Sequence, residues 1–101
     1  MAVKTGQRVS TQKTVGQFKN GDATAFTGTS ARLAVDSECV RVYADQACYL
    51  KSGDDTVVAA SGDHDVFLPA TTTYDLDIGS NTHLAVIQVS SGGTLQTSEI
   101  Q

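Results

Sequence analysis

Tryptophan is missing from this chain of 101 residues, proline occurs once (Pro69), and only two cysteines, Cys39 and Cys48, are present. With three Phe and three Tyr as its whole aromatic complement, the chain has too little bulk to line a large enclosed cavity, so a small, thin core is expected. Two cysteines are too few for a disulfide framework or, without further ligands, for a zinc site, and no CxxC spacing occurs. No run approaches the roughly 18 consecutive apolar residues of a membrane-spanning helix, and the first residues lack the apolar core of a secretory signal. The chain therefore reads as a soluble, intracellularly made protein with no membrane partner.

Charge of one sign is missing from each end. No Lys or Arg follows Lys51, and no Asp or Glu precedes Asp22. The formal net charge of −4 is thus the sum of +3 up to Lys51 and −7 beyond it. Residues 1–21 carry Lys4, Arg8, Lys13 and Lys19 without an acid, so this segment is attracted to acidic surfaces while the C-terminal half is not. Four charges spread over some twenty residues, with Phe18 the one interleaved aromatic, are too dilute for a nucleic-acid-binding tail. A docking strand lying on an acidic protein surface fits better.

What is abundant is Thr and Ser, at thirteen and nine residues, together with nine Gly. β-Branched residues suit a pleated surface and glycines suit tight turns, so the fold class expected is all-β, in one compact domain. Residues 1–30 hold only scattered apolar positions and read as an extended N-terminal arm. Within it, Thr11 to Phe18 could form a strand on a partner chain. Residues 31–101 read as a β-sandwich or jelly-roll, built from strands at Ala31–Val35, Cys39–Tyr43, Ala47–Lys51, Thr56–Ala60, Asp65–Pro69, Tyr74–Ile78, His83–Val89 and Thr94–Ile100. That makes about eight short antiparallel strands.

The alternation is clearest in Tyr74-Asp75-Leu76-Asp77-Ile78, where the apolar residues share a face and both acids point to water. In Cys39–Tyr43, Val40 and Val42 face one way and Cys39, Arg41 and Tyr43 the other. His83–Val89 is apolar on both faces and is expected at the centre, covered on both sides. In the last strand Leu95 and Ile100 fall on opposite faces, which a bulge or an early end of the strand would reconcile. Gly53, Gly62, Gly79, Gly92 and Gly93 are each placed in a hairpin turn.

Little in the chain points to catalysis or to a cofactor. Asp63-His64-Asp65, with Asp54 and Asp55 nearby, offers oxygen and nitrogen donors, yet adjacent strand residues point to opposite faces, and a solvated loop is the preferred reading over a metal site. His83 has no second histidine beside it, no GxSxG occurs, and neither cysteine has a nucleophile's sequence context. The glycines open no helix, so no phosphate cradle is indicated. The cysteines read as reduced and packed like small apolar residues.

Four strings then become informative together: Cys39 to Leu50 (CVRVYADQACYL), Phe67-Leu68-Pro69-Ala70, Gly79 to Gln88 (GSNTHLAVIQ) and Gly93 to Ile100 (GTLQTSEI). In order and spacing they resemble small structural proteins of tailed bacteriophages, over about residues 31–101. The resemblance implies a virion component, a capsid cement (decoration) protein of sandwich or jelly-roll fold. Such a protein is made in the host cytoplasm, sits on the outer shell against the major capsid protein, and has no enzymatic activity. A thin core also favours a homo-oligomer, dimer or trimer. Within this reading the docking arm is carried by Lys4, Arg8, Lys13, Phe18 and Lys19. The alternatives are a tail or fibre module that contacts glycans through loops at Gly53–Asp55, Gly62–Asp65 and Asn81–His83, and a head-tail connector component.

Overall fold

The computed structural model describes residues 17–101. All its regular elements are strands: β1 (Phe18–Phe26), β2 (Ala31–Ala34), β3 (Cys39–Ala44), β4 (Cys48–Gly53), β5 (Val66–Leu68), β6 (Thr73–Asp77), β7 (His83–Gln88) and β8 (Gly93–Ile100). They form two four-stranded antiparallel sheets, ordered β1-β8-β3-β6 and β2-β7-β4-β5. Paired as first with eighth, second with seventh, third with sixth and fourth with fifth, the strands trace one long hairpin wound into a sandwich. β1 and β2 form the edges along one flank, β6 and β5 along the other.

The inner faces follow the alternation read from the sequence. Val40, Val42 and Ala44 of β3, Cys48 and Leu50 of β4, and Leu84 and Val86 of β7 are all at most 1 % exposed, while Arg41 points out. In β6 Tyr74 and Leu76 pack against this core and Asp75 and Asp77 face water. β7 is covered on both sides, because Ala85 and Ile87 on its outer face meet Val57 and Ala59.

Four features differ from the sequence expectation. The arm does not extend to residue 30: Phe18–Phe26 is a nine-residue strand of the sandwich, paired along its length with β8, and Phe26 is 2 % exposed in the core. Thr56–Ala60 is not a strand. The Asp54 carboxylate accepts from the Thr56 amide (2.9 Å) and hydroxyl (2.6 Å), and Val57 N–H donates to the Asp54 carbonyl (3.2 Å), so the chain coils at this point. Val57 and Ala59 bury their side chains without joining a ladder, and only a bridge between Ala60 and Asp63 follows.

The irregularity expected in the last strand lies in its partner. β8 is regular, with Leu95, Thr97 and Glu99 facing in and Ile100 on the outer face. β1 carries the bulge: Asn20 and Gly21 together oppose Ser98, between the pairs Lys19↔Glu99 and Asp22↔Thr97. Asn20 takes φ 55°, a left-handed conformation that asparagine tolerates. Gly53 and Gly93 are strand residues, not turn residues.

Candidate docking surface around β1

Five residues are expected to carry docking. Lys4, Arg8 and Lys13 lie outside the described residues, so only Phe18 and Lys19 can be placed. They are neighbours on β1 and therefore point to opposite faces. Phe18 is on the outer face, 45 % exposed, opposite Ile100. Lys19 is half-buried on the inner face, directly opposite Glu99. Phe18 and Lys19 thus cannot serve one flat contact together.

Arg41 joins Phe18, a contact that no spacing in the sequence signals. Its guanidinium lies 4.9 Å from the centroid of the Phe18 ring and binds Asp75 through both oxygens, Nε to Oδ1 at 2.7 Å and Nη2 to Oδ2 at 2.9 Å. The hydrogen bonds to Asp75 raise the Arg41 pKa further above its ordinary value, against a smaller opposing effect of desolvation. Both partners are about half exposed, so the pair contributes no more than about 1 kcal/mol. Its chief effect is to hold an aromatic ring and a cation in fixed register across the outer face of the β1-β8-β3-β6 sheet.

On the inner side of the same strand, Asn20–Asp22 of β1 and Ala34–Asp36 after and at the end of β2 border a groove of about 440 Å³. Its floor is Val40, Thr97 and Glu99. Glu99 is 5 % exposed and accepts a hydrogen bond from Ser37 Oγ at 3.0 Å.

Elsewhere, the Asp63-His64-Asp65 side chains go to three separate partners. Asp63 takes Lys51 Nζ at 2.6 Å, and Asp65 accepts from Ser52 N (2.9 Å) and Oγ (3.3 Å). His64 stacks on Tyr49 at 4.2 Å and its Nδ1 is 3.1 Å from the Ala60 carbonyl. No three His, Cys, Asp or Glu side chains converge among the described residues. The Thr56 hydroxyl and amide hold the nearby Asp54 carboxyl below its ordinary range. His83 Nδ1 meets Thr82 Oγ1 at 2.9 Å. The three loops at Gly53–Asp55, Gly62–Asp65 and Asn81–His83 do meet. Ser52 binds Asp65, Asn81 Nδ2 donates to Ser52 Oγ (2.9 Å), and Thr82 N–H donates to the Gly53 carbonyl (3.0 Å).

Cys39 and Cys48 lie in different sheets, Cys39 facing out and Cys48 fully buried facing in, so they do not bridge one another. Burial pushes the Cys48 thiol up from 9.0 to about 11. The fold therefore favours the neutral thiol: its contribution is complete below pH 9 and is lost as pH rises through about 11. At pH 10 the loss is expected to be on the order of 1 kcal/mol. Urea titrations at pH 8 and pH 10 check this, since Cys48→Ala should lack that share of the alkaline decline.

Comparisons with known proteins return no matching family model, no matching curated protein and no matching solved structure.

Proposed function

We propose that this protein is a non-enzymatic virion component of a tailed bacteriophage. In this reading it is a cement protein that sits on the outside of the capsid shell, binds the major capsid protein and stabilises the shell. The finer fold reading, a jelly-roll, draws on the hairpin-wound order of the eight strands. The observation that carries the functional reading is that the acid-free stretch with Lys4, Arg8 and Lys13 precedes, in sequence, the edge strand β1, whose first residue is the exposed Phe18. An edge strand with a cationic extension is suited to adding onto an acidic partner surface. Cementing needs no turnover and no cofactor. Many copies, as dimers or trimers that each bury a standard interface of roughly 1,600 Å², reinforce a shell against internal pressure.

The test is cosedimentation with purified shells. Because Phe18–Phe26 belongs to the sandwich, the truncation begins at Gln17 and leaves β1 whole. Loss of residues 1–16 is expected to weaken attachment at least about tenfold, and added salt should weaken attachment of the full chain. Equal binding by both chains sinks the reading.

A second reading, a glycan-binding module of the tail or fibre, draws on the meeting of the three loops around Ser52. Immunolabelling and copy number per particle separate the cases. Hundreds of copies over the head favour cement, labelling of the tail favours the glycan module, and a few copies at the neck favour a connector.

A further inference from the structure

The groove on the β1/β2 flank holds a carboxylate that the described residues leave half satisfied. Glu99, 5 % exposed, has Ser37 on Oε1, and its Oε2 meets no donor among the described residues. The buried Val35 and Val40 give the groove an apolar wall, and the exposed Asp22 and Asp36 add two more carboxylates to its border. Asp22 Oδ1 accepts from the Ala23 amide at 2.8 Å. The ion pairs among the described residues, Arg41–Asp75 and Lys51–Asp63, are elsewhere, and Lys19, although opposite Glu99 in the ladder, makes none with it. A carboxylate removed from water with one neutral donor is unfavourable unless a cation reaches it.

We propose that this groove binds an organic cation, a guanidinium group on a short aliphatic stem, with the head on Glu99 and the stem along Val35 and Val40. Three carboxylates border the groove, yet no three His, Cys, Asp or Glu side chains among the described residues converge closely enough to hold a metal ion. Negative charge spread along a groove suits a cation whose donors point apart better than it suits a point charge. A guanidinium presents its N–H donors in one plane, matches a carboxylate in a forked pair, and is more weakly hydrated than an ammonium, so it gives up less on entering a site removed from water. Its aliphatic stem gains by covering apolar surface. The groove, at about 440 Å³, lies within the range of small-ligand sites. The same chemistry is offered by a free small molecule and by an arginine side chain of a partner chain, and both can enter between the two edge strands β1 and β2.

The probe is n-butylguanidinium, titrated into the full-length protein at low salt while backbone amide shifts are followed by NMR. Saturable shifts centred on Asp22, Asp36 and Glu99 are expected, with a Kd of roughly 1 mM or tighter. Binding should weaken at least about tenfold in Glu99→Gln, which keeps an acceptor for Ser37 Oγ and removes the charge. n-Butylurea, of the same shape without the charge, should bind at least about tenfold more weakly than the guanidinium. No saturation by roughly 10 mM overturns the proposal, as do shifts centred away from the groove, equal binding of the urea, or equal binding by Glu99→Gln. Should Glu99→Gln fail to fold, Asp36→Asn, at an exposed position, is read in its place, with a loss of about threefold expected and no loss overturning the proposal. A capped tripeptide, acetyl-Val-Arg-Val-amide, separates the sources. If it binds more tightly than n-butylguanidinium, the groove takes an arginine of a partner chain; if it binds equally or more weakly, the groove takes a free cation. No shells enter the titration, so its failure is distinct from failure of the capsid reading.

Discussion

Phe26→Ala is expected to destabilise the protein by about 3–5 kcal/mol, measured by urea unfolding. Phe26 is the largest of the fully buried side chains among the described residues, 2 % exposed, and sits at the end of β1 opposite Gly93, which has no side chain to fill the space it leaves. The result bears on what the N-terminal third of the chain is. A strand that merely rests on the sandwich would lose little when truncated at one position. A strand that supplies the core would lose the transfer energy of a phenyl ring and gain a cavity. A cost under about 1 kcal/mol would mean that β1 is a detachable arm after all.

Gly93→Val should cost about 3 kcal/mol, with Gly93→Ala intermediate. A Cβ at Gly93 would collide with Asp45 Oδ1 and come within 2.9 Å of Gln46 Cβ. Asp45 Oδ1 cannot give way freely, because it accepts the Thr94 N–H at 2.8 Å and so ties the β3–β4 turn to the start of β8. Gly62 is the control: a Cβ there meets nothing within 4 Å, and Gly62→Ala should leave the urea midpoint nearly unchanged. Equal effects at the two glycines would show that space, as distinct from backbone freedom, is not what Gly93 provides.

Most of the sandwich is legible in the sequence where one face of a strand is buried and the other wet. β3, β6 and β7 have the faces that their patterns dictate, because strict alternation suits a half-buried strand and a two-sided apolar run suits a central one. β1 is not legible. Its inner positions include Lys19, Asp22 and Thr24, which border a groove or an edge, so period-two hydrophobicity is absent and strand character comes from the distant partner β8. Thr56–Ala60 misleads in the opposite sense. Its β-branched run suits a ladder, but Asp54 coils the chain, and Val57 and Ala59 find burial over Ala85 instead. At the candidate site, the positive charges are countable, but which way Lys19 points depends on the bulge at Asn20–Gly21, and its neighbour across the ladder, Glu99, lies at the far end of the chain.

The hairpin-wound pairing also governs how the fold can be reached. Phe18 pairs with Ile100, and the Gln17 carbonyl is joined to the Gln101 amide, so the outermost ladder closes only when nearly the whole chain has been gathered. β4 and β5, by contrast, are neighbours in sequence as well as in space. Loop-closure entropy then orders assembly from the inner pairs outward, and places this protein among the slow, millisecond-to-second folders. The same closure leaves residues 17 and 101 side by side, so in a chain begun at Gln17 these two residues can be joined and the chain reopened at another turn with every ladder preserved.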